Sequence, residues 1–126
     1  MKKTDILLQE SKEICLGGLI DINIVEEKIK NYYDVDSLDF KIKKKNVVDA
    51  RLLYFIICVN LPLYYTQEEI GANIGANNDA VSNGVRRFRF YFLSDSIFRY
   101  HAIKFLETHV TTGTRIRIIK SFKKVN

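Results

Sequence analysis

The stretch QEEIGANIGANNDAVSNGVRRF, Gln67 to Phe88, decides the fold. Two short helices meeting at a steep angle through a tight turn place several demands on a sequence, and each is met at the right spacing. Ile70 and Ile74, four apart, face inward from the first helix. Gly71 supplies a tiny residue where the helices touch. Gly75 supplies a turn residue free to adopt positive φ. Val81 packs back from the second helix onto the first. Such a unit is a helix-turn-helix, or else an ordinary helical hairpin with no role in DNA binding.

The second helix extends the argument on both of its faces. Asn77-Asn78 predicts its N-terminal cap, and Asp79 suits the positive end of the helix dipole in the first turn. Val81, Val85, Phe88 and Phe92, at spacings of four, three and four, form its inner stripe. Asn78, Asp79, Ser82, Asn83 and Arg86 point away from that stripe. These side-chain types reach base edges and phosphates in a major groove. Arg87 and Arg89 continue the basic character. Gly84 costs about 1 kcal/mol against Ala in mid-helix, which predicts close packing against another helix. Phe90 is the aromatic that should face outward.

Outward from this segment the pattern stays helical. Thr66-Gln67-Glu68-Glu69 is a capping box opening the first helix of the pair. Asn23-Ile24-Val25-Glu26 reads as another, opening a helix that ends near Tyr32-Tyr33, with Asp34 to Ser37 as a turn. Lys41 to Asn46 is a basic loop. Val47 to Asn60 contains an unbroken apolar run from Leu52 to Val59; it suits a buried strand by periodicity, and its length favours a helix buried on most sides. Asn60-Leu61-Pro62 ends it. Ser94-Asp95-Ser96 caps a helix from Ile97 to about Thr108. From Thr111 the pattern divides: Arg115 to Ile118 alternates like a strand, while Ile119 and Phe122 suit a helix. Residues 4–16 predict a short amphipathic helix with Ile6, Leu7 and Ile14 inward, stopped by Gly17-Gly18. The expected class is all-α, a compact helical domain with no sheet larger than a tail hairpin. The expected organisation is an N-terminal helical extension over 1–22, a helix-turn-helix domain over 23–108 and a basic tail over 109–126.

The chain has 126 residues, 47 % hydrophobic and 28 % charged, which fits one globular domain. No apolar run is long enough to span a membrane, and Ile6 to Leu8 is too short for a signal-peptide core. Cys15 and Cys58 predict buried free thiols in a cytoplasmic, reducing setting. The net charge of +5 conceals a gradient: −4 over residues 1–40, +1 over 41–80 and +8 over 81–126. A basic back half predicts a polyanion-facing surface, or a merely solvated one. The acidic front third suits a protein partner. His101 and His109 lack the company a zinc site needs. The acid pairs at Glu26-Glu27 and Glu68-Glu69 suit helix starts better than a magnesium site. No enzyme, cofactor or small-molecule substrate is expected.

From about Val25 to Phe92 the chain resembles the C-terminal DNA-binding domain of DnaA, the bacterial chromosomal replication initiator. The stretches that carry the resemblance are VEEKIKNYYDVDSLDFKIKKK, VVDARLLYFIICV and TQEEIGANIGANNDAVSNGVRRF. They hold the Tyr32-Tyr33 pair, the basic loop Lys41 to Lys45, Arg51 near the start of a long helix, and Ile70-Gly71. The resemblance implies a Trp-repressor-like helical fold that binds double-stranded DNA by two grooves. The recognition helix would enter the major groove, and the loop, Lys43, Lys44 and Lys45 with Arg51, would reach the adjacent minor groove. Away from the resemblance, Arg51 could equally pair with Asp49 at the surface, and Asn78 could be a plain cap. The family's Asp-His-Thr-Thr signature is replaced by Asn77-Asn78-Asp79-Ala80. The initiator's phosphate-binding loop, ending in Gly-Lys-Ser/Thr, has no counterpart in this chain. The implied function is a DNA-binding regulator of replication or transcription without ATPase; the alternative is a helical interaction module that has lost DNA binding.

Overall fold

The computed structural model describes Asp5, Gln9 and residues 21–122. Between residues 21 and 122 the chain forms six helices and no strand: α1 Ile22–Tyr33, α2 Lys45–Cys58, α3 Gln67–Ala72, α4 Asn78–Ser94, α5 Ser96–His109 and α6 Thr112–Phe122. The expected all-α class is the one observed. The expected helix over residues 4–16 and the thiol of Cys15 lie outside the described residues. No helix among the described residues is long and apolar enough to cross a membrane.

α2 is the axis of the fold. Every residue from Ala50 to Cys58 is buried, so this helix has no solvent face over about its last two and a half turns. It is covered by α1, α4 and α6. α1 contributes Ile22, Val25 and Ile29. α4 contributes Val81 and Phe88, and α6 contributes Ile118. Around Phe88 the rings of Phe98, Phe92 and Phe122 gather at centroid distances of 5.4, 5.7 and 6.2 Å, which joins α4, α5 and α6 into one aromatic cluster.

The helix starts follow local chemistry. Thr66 and Glu69 form the reciprocal capping box of α3, with bonds of 3.1 and 3.0 Å. Asp95 accepts from the N–H groups of Ile97 and Phe98, so it caps α5 while closing α4. The expected box at Asn23–Glu26 is corrected. Asp21 is the cap of α1, accepting from Asn23 and Ile24, and Asn23 lies inside the first turn. Starting the helix at Ile22 buries that side chain, and Glu26 accepts instead from the Asn73 amide at 2.8 Å. α6 selects the helical of the two readings of the tail. Residues 112–122 are a helix built into the core, with Thr114 and Ile118 buried and the Arg117 Nε donating to the Asn60 carbonyl at 2.8 Å. The boundary expected at residue 108 therefore does not bound the core.

The helix-turn-helix geometry is that of α3 and α4. Gly75 has φ +73°, a conformation an L side chain rarely adopts. A Cβ on Gly71 would overlap the Ala76 carbonyl and stand 3.2 Å from a Val81 methyl. The pair is fastened to α2 by the Tyr54 hydroxyl, which donates to the Ile70 carbonyl at 2.8 Å. Gly84 lies directly on the Phe55 ring, and a Cβ there would overlap it.

An exposed mid-helix Gly→Ala change stabilises by about 1 kcal/mol through helix propensity. At Gly84 the sign reverses, because the added methyl would overlap the buried Phe55 ring and displace it from its packing. Gly84→Ala should destabilise by about 1–2 kcal/mol, overpacking outweighing propensity. Urea unfolding of wild type and variant measures it.

Candidate nucleic-acid interface

The outward face of α4 carries the candidate side chains. Asn77 is the cap, its Oδ1 accepting from the Ala80 N–H at 2.9 Å. That leaves Asn78, the first residue of the helix, with an exposed amide and no capping role. Asp79 is also exposed. One turn on, Asn83 and Arg86 are exposed and hydrogen-bonded to each other, the guanidinium donating to Asn83 Oδ1. Arg87 is exposed and lies over the Tyr91 ring at 5.9 Å. Ser82 is half-buried, and its hydroxyl donates to Gln67 Oε1 at 2.8 Å, so it braces α4 against α3.

Arg51 is corrected on both sequence readings. It is 4 % exposed and pairs with no acid among the described residues. Its Nη1 donates to the main-chain carbonyls of Asp39 at 2.8 Å, Ile42 at 3.1 Å and Leu38 at 3.5 Å. Asp49, the expected partner, is held by Lys45 at 2.9 Å instead. A guanidinium reaching 38–42 from inside cannot also lie in a minor groove. Burial, reinforced by the nearby Arg87, pulls its pKa below the ordinary arginine value. Its work is to gather three carbonyls and so set the path of the loop. The loop in turn is tied to the helix-turn-helix by the Phe40 N–H, which donates to the Ile74 carbonyl at 2.9 Å.

The three lysines of the loop part company. Lys43 lines a cavity of about 630 Å³ together with Arg51, Asn83, Arg86 and Arg87. Lys44 borders a different hollow, beside Asp34 and Asp36. Lys45 is the first residue of α2 and is engaged by Asp49. At the other end of the face, Asn77, Asn78 and Asp79 border a hollow shared with Glu68. The structure thus brings Lys43 to the middle of α4 and leaves Lys44 and Lys45 away from it.

Phe40 is the residue the sequence reading missed. Its ring receives the Lys43 ammonium at 4.7 Å and the Arg51 guanidinium at 5.0 Å from its centroid. The signal lay in an aromatic placed directly before a run of lysines.

The histidines and Cys58 sit in structural surroundings. His101 Nδ1 shares a 2.9 Å hydrogen bond with the Tyr32 hydroxyl. His109 stacks near Phe105, and burial lowers its pKa. Cys58 is buried, and burial raises its thiol pKa. Among the described residues no three His, Cys, Asp or Glu side chains converge. Phe90 is 65 % exposed, as its helical position predicts, while Phe88 is fully buried.

No protein-family model, curated protein or solved structure matches this chain.

Arg51→Ala strands three carbonyls that have lost a charged donor. It should destabilise the fold by about 2–4 kcal/mol, with Arg51→Lys recovering part of the loss. Chemical denaturation reads this directly. An Arg51→Ala protein as stable as wild type would remove the loop-organising role.

Proposed function

We propose that this chain binds double-stranded DNA, with α4 as the recognition helix in the major groove and the loop carrying Lys43 following the flanking backbone. The observation that carries this reading is the exposed row Asn78, Asp79, Asn83, Arg86 and Arg87, with Lys43 converging on the same face and, among the described residues, no acid lining the cavity between them. Amides and a carboxylate at the helix start suit base edges, Asn78 toward adenine and Asp79 toward a cytosine amino group. Cations further along suit phosphates.

The shared order of motifs with the initiator's C-terminal domain supports the same reading. With none of that family's four signature residues kept at 77–80, the target differs from the family's box. Without a phosphate-binding loop in these residues, the chain acts as a binding module that blocks, marks or recruits, a regulator of replication or transcription in the cytoplasm rather than an ATP-driven one. One observation favours a second reading, a protein-interaction module. Leu93, Ile97 and Tyr100, at 70, 72 and 59 % exposure, leave apolar surface uncovered near the junction of α4 and α5.

Anisotropy of a labelled duplex titrated at several salt concentrations separates the two. DNA binding through four to six phosphates gives a log–log slope of about −4 to −5. Absence of binding at low salt favours the interaction module. Selection from random duplexes then assigns roles. Asn78→Ala should change the preferred base at one position by about 1–3 kcal/mol without lowering stability, because Asn77 is the cap. Arg86→Ala should weaken all sequences alike and reduce the salt slope by about 1.

A further inference from the structure

The cavity between the loop, α2 and α4 holds more positive charge than the protein balances. Lys43, Arg51, Arg86 and Arg87 all line it, and among the described residues no acid does. The ion pairs among the described residues are Lys30–Glu27 and Lys45–Asp49, neither of which involves these four cations. Asp39 is near enough to favour the charged form of Arg51, but it makes no ion pair with it and its carboxylate accepts the Lys41 N–H at 2.8 Å, so one acid stands against four cations. The Arg51 hydrogen bonds are to neutral carbonyls, which satisfy its N–H groups without cancelling its charge. A buried cation with three others converging on it is costly unless a counter-charge arrives from outside.

The donors come from three elements and different directions. The arginines carry planar forks and Lys43 a point charge. Asn83 completes the set, because its carbonyl oxygen is taken by Arg86 and its NH2 group remains to donate. A planar carboxylate presents two oxygens in one plane and meets one fork; a tetrahedral oxyanion presents oxygens in several directions and meets donors from several elements.

We propose that this cavity is a site for a single phosphoryl group. In the reading of the preceding subsection, on which this rests, the group is one backbone phosphate of the bound duplex, clasped between Lys43 of the loop and Arg86 and Arg87 of α4. Arg51 forms the charged floor and positions the loop. The clasp sets the register of α4 along the groove, since it grips the backbone at one linkage.

The test is a methylphosphonate scan. Each linkage of a selected duplex is neutralised in turn, and affinity is measured for wild type, Lys43→Gln and Arg87→Gln. Both altered residues are exposed, and thermal melts check that the variants fold. One linkage should cost wild type about tenfold, the size of one lost charge-assisted contact, and should cost each variant clearly less, because each lacks one of the cations that grip it. Wild type that binds duplex but shows no linkage whose cost both variants reduce overturns the clasp while leaving DNA binding intact. If wild type binds no duplex, titration with inorganic phosphate at constant ionic strength decides. Saturable NMR shifts at residues 83–87 that Arg87→Gln abolishes support a site for free phosphate; their absence overturns the proposal together with the DNA reading.

Discussion

A helix that is apolar all round must be covered all round. α2 imposes this on the rest of the chain: from Ala50 to Cys58 no residue reaches solvent. An amphipathic surface helix asks its neighbours for one stripe of contact, whereas α2 asks for a complete sheath. α1, α4 and α6 supply it, and the loop at 38–42 closes the sheath near the N-terminal end. The one charged residue inside it, Arg51, is accommodated because the loop turns its carbonyls inward. The same requirement places the outward face of α4. With Val81, Gly84 and Phe88 turned toward the core, Asn83, Arg86 and Arg87 are left on the exposed side of α4, around the cavity that Lys43 enters from the loop.

What was legible in the sequence was local or periodic. The Thr66–Glu69 box, the 81/85/88/92 stripe and the roles of Gly71, Gly75 and Gly84 each depend on a few neighbouring residues or on a spacing that only a helix satisfies. The misread start of α1 was a contest between two equivalent caps, Asp21 and Asn23, decided by the burial of Ile22. The tail stayed open between strand and helix because Arg115 to Ile118 alternates over too few residues to separate the two, and the contacts of Phe122 with Phe88 and Phe92 come from far along the chain. Arg51 was misread for a deeper reason. A cation beside a lysine-rich loop looks exposed, and only the tertiary path of residues 38–42 brings carbonyls to it.

Charge counting overstated the binding surface for a related reason. The +8 of residues 81–126 counts every arginine as available to a partner. Arg99 donates to the Phe92 carbonyl, Arg115 to the Thr112 hydroxyl and Arg117 to the Asn60 carbonyl. These guanidinium groups keep their charge but are held within the fold, Arg99 between α5 and α4, Arg115 along α6, and Arg117 between α6 and the end of α2. The cations left for a polyanion on α4, Arg86 and Arg87, are fewer, and they matter because Lys43 joins them from a distant part of the chain.

Asp95 is the only residue between α4 and α5, and it serves as an end for both. A joint one residue long has no slack, so the two helices behave as the arms of a bent lever. A roll of α4 alone would part Phe88 from Phe98 and the Phe92 carbonyl from the Arg99 guanidinium, so the arms keep their angle. Tyr100 and Ile103 stand exposed on the second arm. The outward face of α4 and the exposed side of α5 are thereby held at one fixed setting, with a single aspartate at the elbow.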